Sequence, residues 1–489
     1  MTDVLLGQSY YLRFDPKLWD AMQPYPPLGT LYAASYLRAQ GYGVALFDAM
    51  LADSTGEWRA ALERHVPAIA VIYEDSFNYL SKMCLLKMRQ AAFQMIEAAR
   101  RAGATVVVSG SDATDHRDEY IARGADYILV GEAELTLLEL VTALLRPCER
   151  PRQSSGQPPR QMSIPGVLAA GQRDPIVPRP FIRDLDAVPF PAWDLVDLPR
   201  YREIWLDRHG YFSVNMATTR GCPYHCNWCS KPIYGQRYQS RSPANVVAEI
   251  RWLKHLAAPD HFWFADDIFG LKPGWIEEFA ALIEQQGLQT PFKCLLRTDL
   301  VDEGVASALK RAGCRTVWVG AESGSQKILD AMEKGARVAD TYRATRQLRE
   351  AGIEVGYFLQ FGYPGEAWTE IQDTIRMVRE CLPDDIGISV AYPLPGTKFY
   401  DRVRAELGRR QNWEDSNDLA MLYQGSFPTS FYRQLHRTLH REYRARRAWR
   451  QLREGRLSLA RAARPVARAV TLPIDYARLT LLRRSSRTT

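Results

Sequence analysis

Two arrays of short apolar runs, each run followed by a helix-patterned stretch, limit what this chain can fold into. The first array holds "VLLGQS", "GVALFDA", "AIAVIY", "TVVVSG" and "DYILVG" within residues 1–148, with amphipathic stretches such as "KMRQAAFQMIEAARRAG" between them. Strand–helix alternation at this spacing predicts a parallel sheet covered by helices on both faces, a doubly wound α/β domain. Ligands of such sheets sit at the C-terminal strand ends, here near Asp48, Glu74 and "GSDATDH". The alternation breaks over residues 149–205. "ERPRQSSGQPPRQ" reads as a linker, and "RPFIRDLDAVPFPAWDLVDLPRY" has prolines and aromatics without a period. Phe190 and Trp193 are costly to expose, so packing is expected to order that second stretch. A second array follows over residues 206–400, with "SVNMATTR", "HFWFADD", "FKCLLRTD", "TVWVGAES", "EVGYFLQFG" and "IGISVAYPLPG". Six βα units make either an open barrel or another wound sheet. In a barrel the chemistry sits at the C-terminal strand ends. Residues 401–489 read as helical and increasingly basic.

The first strand of the second array runs into "TTRGCPYHCNWCSKP", residues 218–232, where Cys222, Cys226 and Cys229 follow a C-x3-C-x2-C spacing. Three thiolates this close suit one metal centre. Structural zinc usually takes four ligands from two separated knuckles, and there is no second C-x2-C; His225 reaches a shared ion only with strain. A redox disulfide usually uses C-x2-C beside a helix. A [4Fe–4S] cube held by three cysteines leaves one iron open for chemistry. Zinc and free thiols remain as alternatives, and with them a non-enzymatic metal or electron-transfer module.

The cysteine run resembles the radical S-adenosylmethionine (SAM) superfamily, with Trp228 at the aromatic position before the third cysteine. The likeness extends to a subgroup with a cobalamin-binding domain. It rests on "PPLGTLYAASYLRAQGYGVALFDA", "GADYILVGEAELTLLEL", "DLDAVPFPAWDL", "FADDIFG", "LRTDL", "GAESGSQKILDAMEKG", "FGYPGE" and "PLPGT", in that order. The resemblance implies a partial (β/α)6 TIM-like barrel over 206–400 and a cobalamin-type domain over 1–148. It implies a [4Fe–4S] cluster on Cys222, Cys226 and Cys229, and SAM cleaved at that cluster to a 5′-deoxyadenosyl radical. It places cofactor contacts at Trp228, Asp266, Asp267, Arg297, Glu322, Ser323, Gly362 and Gly365. Plainer roles stand beside these: Asp266 and Asp267 as turn caps, Arg297 paired with Asp299 on the surface, Glu322 as a strand-end acid needing a polar partner, and the glycines as turn formers.

Cobalamin is the third implied cofactor. The D-x-H-x-x-G pattern that supplies a cobalt-ligating histidine is absent, as is common in the subgroup. Ser111 and Asp112 depart from the relatives' loop, and the acid and large aromatic within "YEDSFNYLSKMC" (73–84) either touch a corrin or fill its place. The implied chemistry is methylation of an unactivated carbon. Its rival is ring formation or oxidation without methyl transfer, as in the anaerobic magnesium-protoporphyrin ester cyclase group.

Composition narrows the setting. A hydrophobic share of 46% and a charged share of 24% are ordinary for a globular protein. No apolar run is long enough to span a membrane and the N-terminus lacks a basic signal region, so the expected location is the cytoplasm, with reduced thiols. The net charge of +7 is uneven: residues 431–489 hold 16 arginines and no lysine against three acids, a net +13, so the first 430 residues sum to −6. That tail suits either an amphipathic contact with an anionic membrane surface or a solvated helix. Nucleic acid is not expected, because aromatics for base stacking are scarce there. The expected partners are a small-molecule substrate and a reductant such as flavodoxin or ferredoxin.

Overall fold

The computed structural model describes residues 2–146, 164–172, 174–229, 234–455 and 457–485. The linker stretch "ERPRQSSGQPPRQ" lies outside them. The chain forms two compact units. One comprises Met1–Pro223, Ser230–Asp266 and Asn412–Asn417, the other Tyr224–Cys229, Asp267–Gln411 and Asp418–Thr489.

In the first unit, β1 (Val4–Gly7), β2 (Val44–Phe47), β3 (Ile69–Tyr73), β4 (Thr105–Ser109) and β5 (Tyr127–Leu129) form a parallel sheet, and β6 (Val167–Ala169) adds antiparallel to β5. The order β2-β1-β3-β4-β5-β6 reverses between β1 and β3, which puts helices on both faces. Side-chain alternation along the strands divides the core accordingly. Leu5, Phe47, Ile72, Val106 and Val108 pack with Trp58, Met95 and Ile96 on one side. Val4, Leu6, Val71, Val107 and Leu129 pack with Ala33, Leu37, Leu137 and Leu140 on the other. Both faces are apolar because both are covered. The edge strand β6 went unanticipated, since three residues carry no periodicity.

The second array supplies β7 (Ser213–Met216), a short antiparallel pair β8 (Thr219–Arg220) and β9 (Gln239–Ser240), then β10 (His261–Phe264), β11 (Phe292–Leu296), β12 (Cys314–Glu322), β13 (Glu354–Phe361) and β14 (Asp385–Val390). The second sheet runs β14-β13-β12-β11-β10-β7, with parallel pairings throughout those registered. Chain order is kept across it with no reversal. That separates a half-barrel, helices on one face, from a second doubly wound sheet.

Trp193, fully buried, donates its Nε1 hydrogen to Glu249 at 3.2 Å, and half-buried Phe190 stacks on Trp252 with centroids 5.8 Å apart. The proline-rich stretch is thus held by its aromatics, inside the first unit. Among the described residues, no helix is long and apolar enough to cross a membrane.

Candidate active site

The approach to the cysteines is fixed in the first unit by Asp266, just beyond β10. Its Oδ1 accepts from the Thr218 and Thr219 amides at 2.7 and 2.8 Å, and its Oδ2 accepts from Thr218 Oγ1 at 2.8 Å. Burial pushes this carboxyl up to about 6, against the downward pull of those hydrogen bonds. Asp266 therefore shapes the strand end that leads to the cysteines, and Asp267 beside it is solvent-exposed. Arg220 is buried between Glu132, which accepts from Nη1, and Glu134, whose Oε1 lies 2.9 Å from Nη2. The rings of Tyr32, Phe77 and Tyr234 surround the guanidinium at 5.2 to 5.9 Å. Gly221 follows at φ +77°, where an added Cβ would fall 2.2 Å from the Arg237 carbonyl oxygen. Only glycine fits there.

From Gly221 to Cys229 the chain has neither helix nor strand, so side chains must hold it. Asn227 does so in the second unit. Its amide donates to the Met332 carbonyl at 3.0 Å, its Nδ2 to the Ala331 carbonyl at 2.8 Å, and its Oδ1 accepts from Tyr363 OH at 2.8 Å. Its own carbonyl accepts from the Phe399 amide at 2.9 Å. Next to it, Trp228 packs against Ile328, Met332, Tyr363 and Phe399, while its buried Nε1–H has no hydrogen-bond partner. Cys222 is buried and Cys226 and Cys229 are half-buried; no described cysteine is in a disulfide. Among the described residues, no three His, Cys, Asp or Glu side chains are gathered in metal-binding geometry. What fits a cluster is the donor chemistry: three thiols on one loop, with cationic side chains beside it.

Those cations are Arg297 and Lys334. Arg297 lies over the Tyr224 ring at 3.6 Å, and its Nη1 stands 3.8 Å from Cys226 Sγ. Nε and Nη2 grip Asp299 at 3.0 and 3.1 Å, and Nη2 also donates to the Lys334 carbonyl at 2.8 Å. The pairing with Asp299 exists, but Arg297 is buried rather than on the surface. The Lys334 ammonium donates to Glu322 Oε1 at 2.9 Å, both side chains buried. Burial alone would lower the Lys334 pKa; Glu322 and the Cys226 sulfur hold it above its ordinary value. Glu322 closes β12 at φ +56°, a strained conformation for a side chain of its kind. Cys226, Arg297, Lys334 and Glu322 thus form one connected row.

The remaining expected contacts shape turns. Ser323 Oγ pairs with Thr374 Oγ1 at 3.1 Å and accepts from the Ser325 amide at 3.1 Å. Gly362 and Gly365 have φ of +81° and +85°. The Gly362 amide donates to Glu366 Oε2, and its carbonyl accepts from Tyr423 OH. Burial pushes Glu366 up to about 8, and its Oε1 has no partner. Asn227, Lys334 and Glu366 were not singled out in the sequence. All three lay inside quoted motifs, "TTRGCPYHCNWCSKP", "GAESGSQKILDAMEKG" and "FGYPGE", but none was given a role there.

Residues 216–378 match the radical SAM superfamily. An uncharacterized methyltransferase of Pyrococcus horikoshii is 28% identical over 401 residues, covering 79% of this chain and 81% of that protein. The anaerobic magnesium-protoporphyrin IX monomethyl ester cyclase of a Synechocystis species is 26% identical, with 77% and 72% covered. The radical SAM methyltransferase TsrM from Kitasatospora setae, solved with cobalamin and a [4Fe–4S] cluster bound, shares the fold. Its TM-score is 0.66 at 20% identity, over 83% of this chain and 75% of TsrM. Residues 216–378 are a radical SAM domain, and the chain is accordingly an enzyme that uses a [4Fe–4S] cluster and S-adenosylmethionine.

Proposed function

We propose that the chain is a cobalamin-dependent radical SAM methyltransferase acting on an unactivated carbon of a small molecule, with the domain boundaries given by the sequence. In this reading Cys222, Cys226 and Cys229 hold the cluster. Arg297 and Lys334 offset its negative charge, and Trp228, Glu322 and Ser323 with the Gly362–Gly365 turn border SAM. Asp266 acts through the strand end it fixes, and Asp267 stands beside it, solvent-exposed, as the second acid expected at the cofactor.

The observation that carries the reading is a group of buried polar atoms without partners at the C-terminal edge of the first sheet. They are Gln8 Nε2, Tyr10 OH and Tyr11 OH after β1, Glu74 Oε2 and Ser81 Oγ after β3, and Ser111 Oγ after β4. Buried polar groups are nearly always hydrogen-bonded, so this many at one strand edge points to a ligand rich in donors and acceptors. The amide-fringed corrin of cobalamin has that character. Neighbouring groups are already engaged: Asp112 is clamped by Arg89 at 2.6 and 2.7 Å and by Tyr120 OH at 2.7 Å. Asp75 accepts from the Gly29 and Phe77 amides, and the Phe77 ring lies against Tyr32 and Tyr234. Of the acids after β3, Glu74 is the one with an oxygen left for a ligand. One oxygen accepts from the Ser9 amide at 3.0 Å, and burial pushes the carboxyl up to about 7. His116 lies beside Glu119 at 3.3 Å. When bound, cobalamin supplies the methyl group for a substrate carbon from which hydrogen has been abstracted.

The likeness to the magnesium-protoporphyrin cyclase sustains the ring-forming alternative, but the methyltransferase names among the relatives and the orphaned edge favour methyl transfer. The test is corrin content after anaerobic purification from cells supplied with cobalamin. About one corrin per chain is expected, falling in a Tyr10→Phe/Tyr11→Phe variant. A corrin-free chain with an intact cluster would overturn the reading. A flavodoxin- or ferredoxin-type donor completes the scheme. For the tail, exposed Leu459, Val470, Ile474 and Leu481 stand among arginines and favour peripheral contact with an anionic membrane.

A further inference from the structure

The inner face of the second sheet carries a surface the reaction scheme above does not use. On β12 and β13 the fully buried Val317, Val319, Val355, Tyr357, Leu359 and Phe361 face the helices Glu303–Ala312 and Val338–Glu350; Tyr357 OH pairs there with Thr345 Oγ1. Alternation therefore turns Trp318, Gly320, Gly356, Phe358 and Gln360 to the other side. Register sets Trp318 beside Gly356, Gly320 beside Phe358, Phe358 beside Gly387, and Gln360 beside Ser389.

Three glycines in this patch make room for one flat floor. A Cβ on Gly356 would fall 2.5 Å from the Trp318 ring, so the indole lies against bare backbone. A Cβ on Gly387 would stand 3.4 Å from Phe358 and 3.5 Å from Trp318. The two rings stack on each other with centroids 4.8 Å apart at 29°. Phe358 is nevertheless 41% exposed, unusual for a mid-strand phenylalanine in a sheet whose other face is sealed. Gln360, on the same face two residues further along β13, is only 4% exposed, and its Oε1 has no hydrogen-bond partner. The strand rise puts it about 7 Å beyond Phe358. The floor also adjoins the row already described, since a Cβ on Gly320 would meet both Glu322 Oε1 and Lys334 Nζ at 2.6 Å.

We propose that Trp318 and Phe358 are the substrate floor, and that the substrate class is a planar aromatic ring carrying a hydrogen-bond donor at its edge for Gln360. This rests on the radical SAM site bordering Glu322 and Lys334. A flat ring stacks on the exposed Phe358 face, which a saturated skeleton cannot match, and the orphaned amide oxygen requires an N–H or O–H.

The experiment is equilibrium dialysis of the full chain against 2-naphthol, 2-methoxynaphthalene and decahydro-2-naphthol. The last keeps the carbon skeleton and hydroxyl but loses planarity. 2-Naphthol should bind about ten-fold more tightly than its saturated counterpart. Phe358→Leu should weaken 2-naphthol roughly five-fold, with Phe358→Tyr restoring it and so excluding misfolding. Gln360→Leu should remove the preference for 2-naphthol over its methyl ether. Equal binding of the saturated compound, or binding indifferent to Phe358→Leu, overturns the proposal. Corrin content of the same preparations separates the two readings. Naphthol binding without corrin fails cobalamin alone, and corrin without Phe358-dependent naphthol binding fails the substrate floor alone.

Discussion

Asn227 shows how one residue can hold the cysteine-bearing loop, which has no secondary structure. Its bonds to Met332, Ala331, Tyr363 and Phe399 fix the backbone between Cys226 and Trp228. Asn227→Ala removes three side-chain bonds, to the Ala331 carbonyl, Glu333 and the Tyr363 hydroxyl, a loss of about 2–3 kcal/mol. The expected outcome is lower iron and sulfide per chain after anaerobic reconstitution, with circular dichroism unchanged. Full cluster loading would exclude the role. Glu366 yields a pH dependence. Its carboxyl rises from the ordinary 4.5 to about 8 through burial, so between those values the folded chain holds a proton that the unfolded chain has lost. Stability from this group is therefore complete below about 4.5 and declines as pH rises through 8. In urea titrations, Glu366→Gln should flatten that decline; an unchanged slope would show that Glu366 ionises normally.

At the level of elements, the turn after β5 and the short strand β8 are joined by the buried Arg220 with Glu132 and Glu134. Removing one partner of such a group leaves uncompensated charge, so Arg220→Met should destabilise by about 3–5 kcal/mol. The measurement is the urea midpoint, and a shift near zero would mean the triad is solvated. The arginine-rich C-terminus is folded rather than loose: Gln434 donates to Asp475 at 3.2 Å, and Arg379 donates to Glu442 at 2.7 and 2.9 Å. Truncation after residue 457 should abolish co-sedimentation with vesicles containing anionic lipid. Persistent binding would place the contact elsewhere.

For the molecule as a whole, much was legible from local patterns. Short apolar runs alternating with helix-patterned stretches located all five parallel strands of the first sheet and all six of the second, because a strand covered by helices must be apolar wherever it sits. The C-x3-C-x2-C spacing pointed to a three-thiolate centre, because adjacent loop positions can reach one ion whatever surrounds them. The array pattern did not separate barrel from wound sheet. Strand order decides that, and order is a matter of long-range pairing. Asp266 was expected at the cofactor, yet both its oxygens meet Thr218 and Thr219, residues 47 and 48 positions earlier. Arg297 was expected at the cofactor, with a surface pair to Asp299 as the plainer alternative; the Asp299 bond formed, but Arg297 is buried over Tyr224 with its Nη1 near Cys226. Lys334, Asn227, Trp318 and Phe358 lay within quoted runs, but nothing local distinguished them from their neighbours. The sequence by itself therefore determined which elements form and which thiols lie on one loop, since both follow from neighbours within a few residues. Tertiary structure alone decided which charge meets Cys226 and that the Phe358 ring stays open, since these depend on segments 12 to 71 residues apart being brought together.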